Sequence, residues 1–494
     1  MMVTLTRVAD LDLAGYRRVA AGESVTVAED AYDRVAAGRA ALERHLEEGG
    51  SAYGVTTGLG YLTSTAIADA DQAALQRSLV TARASGLGAS LPAVVVRGVM
   101  LIRLAGFLSG HAGVTPGLCR FIAGRLDDGW APVVPAGPYG SAGEIGPLAH
   151  LFQTFVGEGV VALGDETVAA GEALERAGTP PYELQPKEGI ALVNGSPFAT
   201  ALALYVAERG ARLLRQADRV AALAIAVVTA STRPYSPRVA ALSRDPAQEH
   251  VAAELVTLLS GGPAWEDRAQ APVSYRVVPQ VHGALLARIW ELERDAERRL
   301  AAITDSPALF TAAAGEPAGL YPSGAFHAAG TAVLLESVGI AVAHVTNLVE
   351  KRLHRLLDGR FSGLPEQLAR VPGRQAGAVS LHKAVVGLAA ENRLLAAPAS
   401  VHATDTSAGQ EDVQTFTFLI AERLDRALAN LETALACELT SLRFAAALRA
   451  EPIAAPALAA ILATVAEVVP PLDEDRTLSA DVERVRELLQ AGTV

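Results

Sequence analysis

Cysteine is scarce in this chain. Only Cys119 and Cys437 occur among its 494 residues. Two cysteines cannot build a disulfide framework, and neither stands at a metal-ligand spacing from a histidine. The ten histidines are dispersed along the chain, so the sequence predicts no metal site. This cysteine content is typical of a reducing compartment, and we expect a cytoplasmic protein.

An excess of positive charge is also missing. The formal net charge is -12, whereas nucleic-acid binding needs a basic stripe. No segment reaches the roughly 18 uninterrupted apolar residues of a membrane span. Residues 1–13 lack a basic region followed by an apolar run. The sequence therefore predicts a soluble, untargeted protein without nucleic-acid or membrane partners.

Aromatic residues make up only 5% of the chain, although half of all residues are hydrophobic. Much of the apolar content is alanine, leucine and valine, a mixture that favours close-packed helices over sheets. We therefore predict an all-α fold. Long helices are predicted over residues 27–48, 69–85, 91–109, 198–230, 275–303, 324–358 and 411–449. The longer helices of the second part predict an N-terminal domain at 1–196 and a helix bundle at 197–494.

Four glycines punctuate residues 137–150, which read Gly-Pro-Tyr-Gly-Ser-Ala-Gly-Glu-Ile-Gly-Pro-Leu-Ala-His. From the residues alone this is a strained or closely approached turn that enters a helix, with Pro147 in the first helical turn. Such a turn could be a structural joint. The segment also resembles the signature Gly-Ala-Ser-Gly-Asp-Leu-Ala-Pro-Leu-Ala-His of the histidine and aromatic amino-acid ammonia-lyases.

Further blocks resemble the same family in the same order along the chain. They are Tyr53-Gly54 with Thr57-Gly58 and Gly60, residues 75–80, residues 186–189 with Asn194-Gly195, and residues 274–281, 323–327, 391–392, 398–400 and 410–412. The resemblance implies an ammonia-lyase and fumarase-like architecture, in which a loop-rich N-terminal domain precedes a long central helix bundle. It also implies a homotetramer with sites built from several subunits.

The family's electrophile is 4-methylideneimidazole-5-one (MIO), which forms when an Ala-Ser-Gly tripeptide cyclises and its serine loses water. The aligned residues here are Ser141, Ala142 and Gly143, and Ala142 has only hydrogens on its Cβ. The sequence therefore predicts a degenerate MIO loop and no cofactor. A register shifted to Gly140-Ser141-Ala142 would restore a central serine, but it would use the amide nitrogen of a residue with a Cβ. The sequence leaves open whether Ala142 was introduced in place of a serine.

Other departures from the family pattern also fall at chemical positions. Ala271 and Val273 stand where the pattern has an aspartate and a second functional tyrosine. Ala325 replaces an asparagine, and Val413 stands where histidine ammonia-lyases carry histidine. A retained scaffold with a changed reaction would produce this pattern.

Several residues are candidates for catalysis or substrate binding. Tyr53 resembles the family's catalytic base, a role that needs nearby positive charge or donated hydrogen bonds; otherwise it is a hydrogen-bonded loop tyrosine. The resemblance makes Arg276 the anchor of a substrate carboxylate. Ala82 and Arg83 resemble the side-chain selectivity pair. Arg83 is a permanent planar cation suited to a carboxylate or phosphate, or else it forms a structural ion pair.

The remaining candidates have a structural alternative as well. Glu411 could take or relay a proton, or it could favour a helix start. Asn194 resembles the family residue that contacts the cofactor, and Gln280 lies in the block of Arg276. Both could orient a ligand or merely satisfy loop backbone. Phe326 is a further candidate for the substrate-binding wall.

Three functions remain open from the sequence. The first is an enzyme that binds an amino-acid-like substrate and performs elimination, addition, isomerisation or cyclisation without MIO, with Tyr53 as base. The second is an MIO ammonia-lyase or aminomutase whose cofactor forms from Ser141. The third is a non-catalytic homologue that binds a ligand. For the enzyme that we favour, the expected partner is a small molecule with at least one carboxylate.

Overall fold

The computed structural model describes residues 3–262, 270–313, 315–402 and 404–494. Its chain divides into two compact units. The first unit comprises Met1–Tyr205, Leu292–Val333 and Pro398–Glu422. The second comprises Val206–Glu291, Leu334–Ala397 and Arg423–Val494. The boundary expected between residues 196 and 197 stays a prediction.

The described chain is mainly helical, which confirms the fold class expected from composition. The helices that precede residue 197 are α1 (Leu13–Ala20), α2 (Glu29–Glu47), α3 (Asp69–Thr81), α4 (Ala93–Phe107), α5 (Pro116–Asp127), α6 (Ile145–Phe152), α7 (Ala170–Arg176) and α8 (Glu188–Val193). Later helices are α9 (Pro197–Val227), α10 (Pro237–Ala240), α11 (Pro246–Leu259), α12 (Val273–Arg276), α13 (Val278–Leu300), α14 (Ala329–Leu357), α15 (Gly359–Ser362), α16 (Val379–Leu395), α17 (Thr417–Leu448), α18 (Pro456–Val468) and α19 (Ser479–Gln490).

Small sheets accompany these helices in the first unit. Strands β1 (Val3–Leu5) and β2 (Val25–Val27) pair in parallel, Val3 opposite Val25. Strands β3 (Ala131–Pro132), β4 (Val160–Leu163) and β5 (Glu166–Ala169) form an antiparallel sheet in that order. Strands β6 (Ala308–Phe310) and β7 (Gly319–Tyr321) form an antiparallel pair. The sheets are too short to provide the core, which the helices supply.

Every long helix predicted from the sequence has a counterpart, but the last one begins later than expected. The prediction over 411–449 corresponds to α17, which starts at Thr417. Before it, Ser407, Ala408 and Phe416 adopt positive φ angles of 53°, 54° and 51°, which α-helical backbone excludes. Glu411 therefore lies in a loop, and a capping role at the start of α17 does not explain it.

Two helical stretches are long and apolar enough to cross a membrane, namely 188–227 and Ala329–Leu357. In the most apolar part of the first stretch 89% of the residues are buried inside the protein, and in that of the second stretch 61% are buried. Burial of this kind is the property of core helices. Each unit also buries an ion pair: Lys187 with Asp305 in the first, and Arg352 with Glu438 in the second.

Candidate active site

The Tyr53 loop is held from both sides by hydrogen bonds within the first unit. The Tyr53 hydroxyl oxygen accepts from the Gly60 amide at 2.9 Å. Gln76, fully buried on α3, donates to the Gly54 carbonyl at 2.8 Å and accepts from the Gly189 amide at 2.9 Å. Because Gln76 joins the loop to the start of α8, the Tyr53 ring is positioned by helices and not by the loop alone.

Arg83 lies just beyond the end of α3, next to the exposed Ala82. Burial lowers the pKa of its guanidinium, and the Tyr53 phenol opposes that shift through its charge interaction. Its guanidinium donates a long hydrogen bond of 3.5 Å to the Ser78 carbonyl, and among the described residues no carboxylate pairs with it. A half-buried cation therefore stands near the Tyr53 side chain.

The segment predicted to be a degenerate MIO loop is tied to the Glu411 loop. The Ala142 amide donates to Glu411 Oε2 at 2.8 Å. The other oxygen of this carboxylate, Oε1, accepts from the Ser407 hydroxyl at 3.0 Å. Ser141 Oγ donates to the Gly143 carbonyl at 2.5 Å. A Cβ placed on Gly60 would lie 3.7 Å from the side chain of Ser407. Ser407 therefore lies next to the Tyr53 loop and is connected to Ala142 through Glu411.

Phe326 borders the same segment, whereas the side-chain amide of Asn194 contacts a different loop. A Cβ on Gly143 would lie 3.5 Å from the Phe326 ring, which leaves the ring in van der Waals reach of this glycine. Asn194 Nδ2 donates to the Ser306 carbonyl at 2.7 Å, so its amide nitrogen is used by the backbone. Ser196 Oγ donates to the carbonyl of Ala325 at 3.3 Å and thereby holds the segment that carries Phe326.

Glu144 anchors the other end of the same segment. Its carboxylate oxygens accept from the amides of Phe198 and Ala199 in the first turn of α9, both at 2.6 Å. Burial raises the pKa of Glu144 to about 8, although these two amides and Arg103 oppose that shift. The carboxyl thus fixes the loop against the amino end of α9.

Arg276 and Gln280 belong to the second unit. Arg276 ends α12, donates through Nε to the Ala271 carbonyl at 2.8 Å, and lines a cavity of about 590 Å³. Arg233, Arg360 and Phe361 line the same cavity, so its wall is rich in guanidinium groups. Gln280 is exposed in the first turn of α13.

Some residues that organise this geometry were missed by the sequence analysis. Ser407 was not singled out, because it lies in a loop without periodicity. Gln76 was noted only as part of a resembling block. Glu144 aligns with the aspartate of the family signature, and an acidic residue immediately before α6 is the sequence signal for its anchoring role.

Comparison with known proteins places this geometry in a family. The model of the aromatic amino acid lyase family matches residues 11–467. A histidine ammonia-lyase of Anaeromyxobacter dehalogenans is 35% identical over 98% of this chain and 98% of its own length. The chain belongs to the aromatic amino acid lyase family and is an ammonia-lyase-family enzyme.

Solved structures agree with this family assignment. The tyrosine aminomutase from Streptomyces globisporus is 28% identical, with a TM-score of 0.91 over 100% of this chain and 97% of that one. Ergothionase from Treponema denticola has a TM-score of 0.94 over 99% of both chains at 23% identity, a likeness of fold alone. The predicted ammonia-lyase fold is confirmed.

Proposed function

We propose that this enzyme acts on an amino-acid-like, carboxylate-bearing substrate without the MIO electrophile, with Tyr53 as the base. One observation carries the proposal, namely that alanine occupies position 142, at the centre of the aligned tripeptide. In the standard register, the Gly143 nitrogen attacks the carbonyl carbon of residue 141 and a first water leaves. A second water must then leave from the Cα and Cβ of residue 142, and the methyl group of Ala142 carries no oxygen to lose.

The residues therefore do not fit the family's prosthetic group in its standard register. A methylidene group at Ala142 would require the removal of two hydrogen atoms by an oxidant instead of the loss of water. The loop instead presents the Ala142 amide to Glu411 and the Gly143 backbone to Phe326.

The proposed chemistry begins with the transfer of a substrate C–H proton to the Tyr53 oxygen. The electron pair of that bond then forms a carbon–carbon double bond while the leaving group departs with its own bonding pair. Without an electrophile to activate the amine, the leaving group has to be better than ammonia, because each lost 1.4 kcal/mol of transition-state stabilisation costs about tenfold in rate. Arg83 lies beside Tyr53 and binds an anionic group of the substrate.

A second candidate function has its own support. The relative from Anaeromyxobacter dehalogenans is named a histidine ammonia-lyase, and an MIO-dependent ammonia-lyase or aminomutase could form its cofactor from Ser141 in the shifted register. The nucleophile would then be the Ala142 nitrogen, whose hydrogen already points to the Glu411 carboxylate. Glu411 would serve as the base that removes this hydrogen. This candidate predicts a dehydrated Ser141, whereas the first predicts an intact one.

Turnover assays with substrates graded by leaving group test the proposal. The panel consists of carboxylates that carry a free amine, an acyloxy group or a quaternary ammonium group on otherwise identical skeletons. We expect turnover only of substrates with the better leaving groups, and its loss in Tyr53→Phe. Efficient amine release from unmodified amino acids would support the second candidate. Binding of the same compounds without turnover of any of them would indicate a non-catalytic homologue.

We also propose that the enzyme is a cytoplasmic homotetramer. The acidic charge and the two buried free cysteines are compatible with a reducing compartment. Large apolar side chains remain exposed in both units, including Leu242, Leu394, Val401 and Val413, and burial between subunits would remove them from water. Light scattering coupled to size exclusion should give four times the chain mass of 51.2 kDa.

A further inference from the structure

Three side chains with metal-ligating atoms meet in the second unit, outside the residues assigned to the proposed reaction. Glu350 and His354 are separated by one helical turn of α14, so they project from the same face. His382 lies in the first turn of α16. One ligand atom from each of the three lies within 4.8 Å of the other two.

The contacts within this cluster are partly those of an ordinary ion pair. His382 Nε2 lies 2.8 Å from Glu350 Oε1, and Lys351 Nζ lies 2.7 Å from Glu350 Oε2. These two contacts account for Glu350 and His382, but they leave out His354. The His354 ring stacks on that of His382 at a centroid distance of 4.8 Å and an interplanar angle of 20°. No hydrogen bond in the described part of the chain engages the His354 ring nitrogens.

We propose that Glu350, His354 and His382 form a binding site for a divalent transition metal, with Zn²⁺ as its occupant. Two imidazole nitrogens and one carboxylate oxygen are a ligand set that zinc accepts, with water completing a tetrahedron. Bound metal takes the place of the proton shared by His382 and Glu350. The three ligand atoms now lie within 4.8 Å of one another, so metal binding requires side-chain rotations that unstack the two imidazole rings and bring these atoms to coordination distance.

The metal has a structural consequence in the second unit. It joins the last turns of α14 to the first turn of α16 and thereby closes the connection between His354 and His382. That connection contains Arg360 and Phe361, which line the cavity beside Arg276. Metal binding therefore stabilises the unit and restrains one wall of this cavity, independently of the reaction proposed above.

Titration of the untagged, chelator-treated full-length protein tests the site. Isothermal titration with Zn²⁺ should give one site per chain, with at least about tenfold weaker binding in His354→Gln and in His382→Gln. His344→Gln is the matched control, because His344 is exposed on the same helix outside the cluster. Circular dichroism checks that each variant folds. Because His354 is exposed, His354→Gln should disturb the fold less than His382→Gln.

Two further measurements distinguish a defined metal site from weak, nonspecific binding at the surface. Co²⁺ should give the intense visible absorption of a low-symmetry site in the parent protein, and none in His354→Gln. Zn²⁺ should raise the melting temperature of the parent and of His344→Gln, but not of His354→Gln. Absence of stoichiometric Zn²⁺ binding overturns the proposal. Binding that both cluster variants retain at parental strength overturns it equally.

Discussion

The amide N–H of Ala142 donates a hydrogen bond of 2.8 Å to the carboxylate of Glu411. Ala142 stands where MIO formation needs a serine hydroxyl, and Glu411 has a carboxylate that could transfer a proton. The hydrogen bond joins these two residues. Ser407 holds the same carboxylate through its second oxygen. The segment of residues 141–143 is thus fixed by specific hydrogen bonds.

Replacement of Tyr53 by phenylalanine should abolish most of the turnover. A positioned general base contributes about 10²- to 10⁴-fold to a rate, so kcat should fall by that factor while the melting temperature changes little. Tyr61→Phe is the matched control, because this tyrosine lies in the same loop region and is 61% exposed. Equal activity of Tyr53→Phe and Tyr61→Phe would remove Tyr53 from the reaction.

Glu411→Gln separates a chemical role from a purely structural one. The variant keeps an oxygen that can accept from Ala142 but loses the charge, and a hydrogen bond to a charged group is worth about 1.5–3 kcal/mol. If Glu411 moves a proton, kcat should fall further than the loss of folded protein explains, and the pH profile of kcat should change. The exposed neighbour Asp412→Asn is the control. A loss of stability with unchanged kcat per folded molecule would contradict a chemical role.

Arg83→Gln tests the anion specificity of the site. Loss of a charge-assisted contact of about 1.5–3 kcal/mol should weaken binding of an anionic substrate by about 10- to 100-fold. A neutral analogue that lacks this anion should lose little. Arg77→Gln is the control, because its guanidinium is exposed and pairs with Glu158. The same loss for anionic and neutral ligands would exclude Arg83 as an anion-binding residue.

Glu144 predicts a pH dependence of stability. Burial raises the pKa of this carboxyl to about 8 in the folded protein, above the ordinary value of about 4.3. The folded form therefore retains a proton that the unfolded chain releases, so the stabilisation is complete below about pH 4 and is lost as pH rises through 8. Parent stability should fall across this window by up to about 1.4 kcal/mol per pH unit more than that of Glu144→Gln. Parallel curves of melting temperature against pH for the two proteins would contradict this assignment.

Much of the fold could be predicted from the sequence because it depends on local periodicity. Helices such as α9 and α17 carry apolar side chains at spacings of three and four over many turns, and this pattern survives without knowledge of neighbours. The start of α17 was placed too early, because nothing in the composition of residues 411–416 marks the positive φ angle of Phe416. A turn in which non-glycine residues adopt positive φ angles is difficult to predict from sequence.

The site could be predicted only in part. The resemblance named Tyr53, Ala142 and Glu411, but the hydrogen bond between Ala142 and Glu411 joins residues 269 positions apart. His354 and His382 are likewise brought together by the packing of α14 and α16, which no spacing rule for metal ligands along the chain detects. Side-chain contacts of this kind depend on tertiary packing, whereas periodicity reports only which face of a helix is buried.

Intact-protein mass with peptide mapping across residues 133–150 shows whether an MIO electrophile forms in this protein. We expect the unmodified mass for the parent and for the mapped peptide, with Ser141 and Ala142 intact. Ala142→Ser should restore a serine at the centre of the tripeptide and is the positive control for cyclisation. A parent peptide that has lost two water molecules would overturn the MIO-independent reaction and place the electrophile at Ser141.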